Sequence, residues 1–483
     1  WPIATYRVPT SFIALGTKGM TKADYSSLFN DKRLSHRGED LLRSLYRSSS
    51  NSIQSLAETR AEQKGYYRFL NNSKVNEKAL SDEMSLRCSY AVKNRIVLCI
   101  QDTTEINLVR HAGRLKTNSG LGPIDAVKKG IGFKIHPCLV VDAETCFPYG
   151  YAGIELFNRP GIQQMRYHRL RKLPVEQKES GKWLRGNDNV KQHLTNAQSV
   201  SIIQDREGDI YEQFTPEALA PNAHLLVRCK FNRYLENNDR LWDVLSNQTP
   251  LGTYVMYITS DSHKQASREA LMEVRFAKVK FRRPERKMKG IAPYSQDVYV
   301  IEAKEITDAV KDPVHWRLIT TCPVENLQSA KQVIDWYNCR WMIEEVFRVL
   351  KKECYNIEGS ELEQGWAIRK LSIMILDTII KLFQMLIVYN IEEGEPCLNS
   401  DIAFEKEEIE CLQSINKKMQ GNTEKLSNIY DVYKLKGAVW VIARLGGWKG
   451  YASQRKPGAT TLIKGLQKFY NYYEGASLNR DVG

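Results

Sequence analysis

The sequence predicts an α/β protein with helices at both ends and strands between them. Three observations carry this. Residues 21–90 contain no proline and show helical spacing, as in Leu41, Leu42, Leu45 and Tyr46. From Asn94 the texture changes to short apolar runs bounded by polar stretches. From Leu327 the chain reads helical to its end.

The N-terminal helical segment carries more basic than acidic residues. Its run Gly65-Tyr66-Tyr67-Arg68-Phe69-Leu70-Asn71-Asn72 mixes aromatics, arginine and amides. This composition suits a DNA-binding domain and a polar helical cap equally well. The first strand is Ile96 to Ile100, running into Gln101-Asp102-Thr103-Thr104. A second covers Ile135 to Val141, where Pro137 favours an edge position or a bulge. A third lies around Tyr149 to Ile154. A fourth, Ser199 to Ile203, ends in Gln204-Asp205, so two strands finish in the same Ile-Gln-Asp tripeptide. Further strands are expected at Leu225–Arg228, Thr253–Ile258 and Val298–Ile301. The stretch Arg275 to Lys289 has eight basic residues and one acid. It reads as a solvated basic loop or as a contact for a phosphate backbone.

A length of 483 residues allows two to four domains, and a 42% hydrophobic fraction is that of a globular chain. The net charge of +14 favours a polyanionic partner. The basic residues are dispersed and form no single amphipathic helix, which argues against a membrane-surface role. Ten cysteines include no C-x-x-C pair, and those in apolar runs, such as Cys99 and Cys138, read as buried reduced thiols of a cytosolic protein. No signal peptide is evident. Leu371 to Val388 is interrupted by Asp377, Lys381 and Gln384 and reads as a buried helix, not a membrane span. The chain begins at Trp1 and its first methionine is Met20, so little weight falls on residues 1–20.

The chemistry concentrates in Trp336 to Lys351, read as one helix. At about 100° per residue, Tyr337, Arg340, Glu344, Arg348 and Lys351 share one stripe, and Cys339, Ile343, Val346 and Leu350 lie mostly opposite. A carboxylate held among cations suits phosphate handling, and many amphipathic helices share that look. Asp102 and Asp205 at strand ends supply two more acids on rigid supports. Two divalent ions held by such carboxylates serve phosphodiester chemistry well. Spacing in sequence does not bring the three together.

The chain resembles the DDE transposases of the insertion-sequence-four family. The family signature Y-x-x-R-x-x-x-E-x-x-x-x-x-x-K is met by Tyr337, Arg340, Glu344 and Lys351. Lys178 to Leu184, Asp205-Arg206-Glu207 and Ile442 to Gly447 add to the likeness, which runs from Ala23 to Tyr473. The resemblance implies an RNase H-like catalytic core over 77–388, with a β-rich insertion over 206–330. It implies an N-terminal helical domain over 1–76 that reads a transposon end, and a C-terminal helical dimerisation region over 389–483. Asp102, Asp205 and Glu344 would bind two Mg²⁺, with Mn²⁺ as a substitute. Tyr337, Arg340 and Lys351 would hold phosphates at the cut, and Trp316 would stack on a flipped base. Arg206, Arg228, Lys230 and Arg348 match DNA-contacting positions, and Arg33, Arg37 and Arg68 match N-terminal contacts. The implied partners are transposon-end duplex, target DNA and a second copy of the chain in a synaptic complex, in the cytoplasm of a bacterium. The implied activity is cut-and-paste: hydrolysis, hairpin formation, then joining of 3′-hydroxyl ends to target. A non-catalytic DNA-binding inhibitor and a nuclease without strand transfer are the alternatives. Phe347 and Leu350 depart from the relatives at positions of packing or DNA contact, not at the acids. His136 has a counterpart histidine and no assigned task beyond a structural hydrogen bond.

Overall fold

Helices open the chain where helical spacing predicts them: α1 (Lys32–Ser48), α2 (Ile53–Leu56), α3 (Arg60–Asn71) and α4 (Glu77–Ala91). Asp31 and Asn76 cap α1 and α4 with their side chains, and Thr59 and Glu62 form a reciprocal capping box on α3. The structure is a computed structural model describing residues 23–480 apart from 125–129, 160–172, 259–266, 285–293, 309, 311, 353–354, 391–397, 422–426 and 452–455. Residues 1–20 and the end of the basic run at Lys289 therefore lie outside the described residues.

Helices α1 and α3 meet through Gly38. A Cβ there would stand 2.5 Å from Tyr25 and 2.7 Å from Phe69, whose rings stack 6.3 Å apart. Gly38→Ala is accordingly expected to lower stability by about 1–3 kcal/mol despite its better helix propensity. Denaturant unfolding would check this, and a neutral result would show that the rings yield freely.

Eleven strands form one sheet: β1 (Ile96–Gln101), β2 (Thr104–Asn107), β3 (Gly122–Pro123), β4 (Ile131–Asp142), β5 (Pro148–Phe157), β6 (Ser199–Gln204), β7 (Ala223–Arg228), β8 (Gly252–Ile258), β9 (Arg268–Val279), β10 (Val298–Glu305) and β11 (His315–Thr320). The order is β2-β4-β1-β6-β7-β11-β10-β9-β8, with β3 and β5 also on β4. β1, β6 and β7 run parallel and every other pairing is antiparallel. The parallel strands are near-continuous apolar runs because both faces are covered. Strands β8 to β11, expected as an insertion, continue this same sheet through β11 on β7.

The remaining helices are α5 (Gly181–His193), α6 (Leu241–Ser246), α7 (Leu327–Asn338), α8 (Trp341–Lys351), α9 (Gly365–Asn390), α10 (Lys406–Met419), α11 (Leu435–Leu445) and α12 (Ala459–Arg480). Helix α9 is the spine between the sheet and α1–α4. Tyr151 Oη donates to Leu376 O at 3.3 Å, and Lys370 Nζ donates to Leu70 O and Asn72 O at 2.9 and 2.8 Å. Among the described residues α9 alone is long and apolar enough to cross a membrane, and 94% of its apolar window is buried inside the fold.

Four expectations need correction. Pro137 is no edge residue: β4 is flanked by β5 on one side and by β1 and β2 on the other. It stands opposite the break between β1 and β2, and the β5 register shifts just after it, between Cys138 and Leu139, so the bulge alternative holds and the edge alternative does not. The basic run does not begin in a loop, because Arg275 and Lys278 belong to β9 and pair with Glu273 and Asp297. The helix expected over Trp336–Lys351 is two helices. Cys339 and Arg340 close i→i+3 bonds to Trp336 O and Tyr337 O, tightening the chain between α7 and α8 without glycine or proline. Finally, Cys146 and Cys339 are joined as a disulfide, whereas Cys99 and Cys138 are free and buried as expected.

Candidate active site

Strand register builds the site. Ile100 of β1 lies beside Ile203 of β6, so Asp102 and Asp205 leave neighbouring parallel strands at the same level. Gln204 pairs with Val227, which puts Arg228 next on that level, and Arg228 pairs with Leu318 of β11. At about 4.8 Å per strand, Asp102 and Arg228 are roughly 10 Å apart.

Local hydrogen bonds fix the two aspartates. Asp102 Oδ1 accepts the Thr103 N–H at 2.7 Å. Asp205 caps the turn Arg206–Gly208 by accepting the Glu207 N–H at 2.8 Å. Glu344 enters from the first turn of α8, where a carboxylate meets the positive end of the helix dipole. Arg340 bridges the acids: its Nη1 donates to Asp102 Oδ2 at 2.9 Å and its Nη2 to Glu344 Oε1.

Electrostatics follow from this crowding. Burial pushes the Asp102 carboxyl up to about 6; Arg340 opposes the rise, and Asp205 and Glu344 add to it. Burial also works against the Arg340 charge, but Glu344, Tyr337 and Asp102 outweigh it and hold the guanidinium more firmly protonated. Arg228 is held down by burial and by the nearby Arg206 and Arg340, although Tyr337 favours its charge. A guanidinium pressed by other cations is poised for an anionic partner.

Tyr337 lies in the last turn of α7, ahead of the tightened turn at Cys339, and stays near enough to Arg340 to favour its charge. Tyr337 is buried, hydrogen-bonds Arg228 and packs edge-on against Trp316 at 6.1 Å. Arg340 and Glu344 keep their i,i+4 pairing because both follow the turn. Lys351 and Arg348 sit in the last turn of α8 beside Glu358 and Glu345, at 3.5 and 2.8 Å. Arg206 is exposed beside Asp205. Lys230 is also exposed, and its Nζ lies 5.4 Å from the Phe231 ring. Asp102, Asp205, Glu344, Tyr337, Arg340, Arg228, Arg206 and Trp316 thus gather in one region. Arg33, Arg37 and Arg68 belong to α1 and α3, with Arg33 and Arg68 exposed and Arg37 half-buried against Gly65.

His136 is buried behind the aspartate. Its Nδ1 lies 2.9 Å from Thr103 Oγ1, its ring meets Trp183 edge-on at 4.9 Å, and its Nε2 has no partner. Burial first, then Lys182 and Arg185, drive its pKa down to about 3, so it is neutral. Sequence reasoning missed the buried amides Gln101, Gln204, Asn187 and Gln213 behind the two aspartates. The twin Ile-Gln-Asp tripeptides were their visible signal.

Three carboxylates form an all-oxygen donor set, which suits a hard divalent cation. Among the described residues, no three acidic, histidine or cysteine side chains close far enough to hold an ion as they stand. Asp102 and Glu344 are instead neutralised by the Arg340 guanidinium between them.

Acids and guanidinium groups at the ends of parallel strands suit phosphoryl-transfer chemistry on a polyanion. Residues 124–376, just over half of the chain, match the transposase DDE domain family, and residues 22–75 match the transposase DNA-binding family. The chain belongs to the DDE transposases: it is an enzyme that acts on DNA. Its mixed sheet with covering helices is consistent with an RNase H-like DDE domain. Asp102 precedes the matched span and joins the site through the pairing of β1 with β6.

Proposed function

We propose that this transposase works by cut-and-paste, in the manner of the insertion-sequence-four family and of the Tn-five transposase that it resembles. The supporting observation is the juxtaposition of Asp102 and Asp205 on adjacent parallel strands, with Glu344 linked to Asp102 through Arg340. In this reading Asp102, Asp205 and Glu344 hold two Mg²⁺, for which Mn²⁺ substitutes. Such ions, when bound, activate the attacking oxygen and stabilise charge on the leaving one. Arg340 turns from the acids to a DNA phosphate, freeing Asp102 and Glu344 as ligands. Tyr337, Arg228, Arg206, Lys230, Arg348 and Lys351 hold the strand in line. Trp316 offers a face to an unstacked base when the freed 3′-hydroxyl closes a hairpin. The helical segment over 1–76, with Arg33, Arg37 and Arg68, reads the transposon end. The region over 389–483 pairs two copies in a synaptic complex, which then joins the ends to target DNA.

The test is incubation of the full chain with a duplex carrying the element's end, Mg²⁺ and a target plasmid. Nicked, hairpin and joined products are expected in succession. Cutting without joining would make the protein a nuclease, and end binding without nicking would make it an inhibitor. In the same assay Trp316→Ala should lower hairpin yield about 5- to 100-fold, the worth of one stacked base, and spare first-strand nicking. Equal loss of both steps would remove Trp316 from the hairpin step.

A further inference from the structure

Behind the two aspartates lies a cluster of four amides, each at most 1% exposed: Gln101, Gln204, Asn187 and Gln213. Gln204 Nε2 donates to Gln101 Oε1 and to Gln213 Oε1, both at 3.0 Å. Gln213 Nε2 returns to Gln204 Oε1 and reaches Gly208 O, both at 2.5 Å. Asn187 Nδ2 donates to Gln213 Oε1 at 3.0 Å, and its Oδ1 accepts from Gln101 Nε2 at 3.3 Å. The ring thus ties β1, β6, α5 and the turn that follows Asp205.

Burying four amides is costly where apolar side chains would pack, and a fully satisfied network earns its place by fixing one arrangement. Position in the strand says what is fixed. Gln101 and Gln204 each immediately precede an aspartate, and successive side chains on a strand leave opposite faces. Locking the two glutamines on the α5 face therefore sets the spacing and aim of Asp102 and Asp205 on the other. Two glycines leave room for this. A Cβ on Gly186 of α5 would stand 2.5 Å from Gln101 Oε1, and one on Gly208 would meet Gln204 Oε1 more closely still.

We propose that Gln101, Gln204, Asn187 and Gln213 form a positioning clamp that holds Asp102 and Asp205 at the separation a pair of divalent ions requires. The proposal rests on the reading of those aspartates as metal ligands. The clamp residues touch no ion and no DNA; they act through the neighbouring carboxylates, as supporting shells do elsewhere.

The test is Mn²⁺ binding to the full-length protein, followed by electron paramagnetic resonance of the free ion. Gln204→Met keeps the side-chain length and removes the hub of the ring. Gly186→Ala removes no amide and improves helix propensity, but drives a methyl into Gln101. Each variant's folding is checked by its melting transition, and should Gln204→Met not fold, Gly186→Ala carries the same expectation. Mn²⁺ affinity is expected to fall about 10- to 100-fold, the usual cost of losing an outer-shell partner. DNA binding without metal should stay as in the wild type, whereas a merely structural role would lower the active fraction and leave the affinity of the folded protein untouched. Wild-type Mn²⁺ affinity in a folded variant overturns the clamp. Asp102→Ala and Asp205→Ala run alongside: if they also bind Mn²⁺ normally, the metal reading of the aspartates fails, and the clamp with it. If they lose binding while the clamp variants keep it, the clamp alone is wrong.

Discussion

Asp102→Ala is expected to reduce nicking of an end-containing duplex by at least about 10³-fold, which equals roughly 4 kcal/mol of transition-state stabilisation. The size follows from position. Asp102 stands beside Asp205 across one strand pairing and reaches Glu344 through one guanidinium. End binding, measured by mobility shift without metal, should stay within about twofold of wild type, since phosphate contacts come from cations. Asp205→Ala and Glu344→Ala should match it. A single-turnover nicking rate within tenfold of wild type for any of the three would remove that acid from the catalytic set.

The second large effect concerns stability without metal. Asp102 has a folded pKa of about 6 against an ordinary 3.8, so the fold binds this proton more tightly than the unfolded chain does. Its contribution is complete below pH 3.8 and is lost as pH rises through 6. The shift corresponds to about 3 kcal/mol. Asp102→Asn keeps the shape and never ionises. In chelator it should therefore gain on the wild type between about pH 4 and 7, reaching about 3 kcal/mol by pH 8. Denaturant unfolding at several pH values reads this directly. Excess Mg²⁺ should reverse the order, since it stabilises only the protein that can bind it. A pH-independent gap between the two proteins would show that burial does not strain this carboxylate.

Much of this site was legible in the sequence. Apolar runs announced β1, β6 and β7, and the polar residues ending them marked Asp102 and Asp205. Helical spacing announced one helix over Trp336–Lys351 and put Arg340 and Glu344 on a shared face, where they pair within α8 and its cap. What escaped depended on contacts distant in the chain. The break at Cys339 carries no glycine or proline to betray it, and the contacts of Tyr337 with Trp316 and Arg228 join segments far apart in the chain. Pro137 read as an edge or a bulge, and only the fold reveals that it lies inside the sheet, opposite the break between β1 and β2 and next to a register shift on β5. Arg275 and Lys278 concealed a strand because their charge is neutralised by Glu273 and Asp297. The repeated Ile-Gln-Asp was visible, but the meeting of its two glutamines needed β1 and β6 side by side.

The junction of β11 with β7 has a mechanical consequence. Trp316 belongs to the same hydrogen-bonded plate as the two aspartates, two strands beyond Asp205. If the aspartates cut and Trp316 backs the bent end, as proposed, both tools are milled from one piece. In the proposed hairpin step, a DNA end that bends sharply would push its base against one part of the plate while its phosphate pulls on another. That couple would be carried by the ladder hydrogen bonds joining β6, β7 and β11 and not as sliding between packed surfaces. Under the proposed reaction, the spacing between Trp316 and Asp205 would then stay constant from one step to the next.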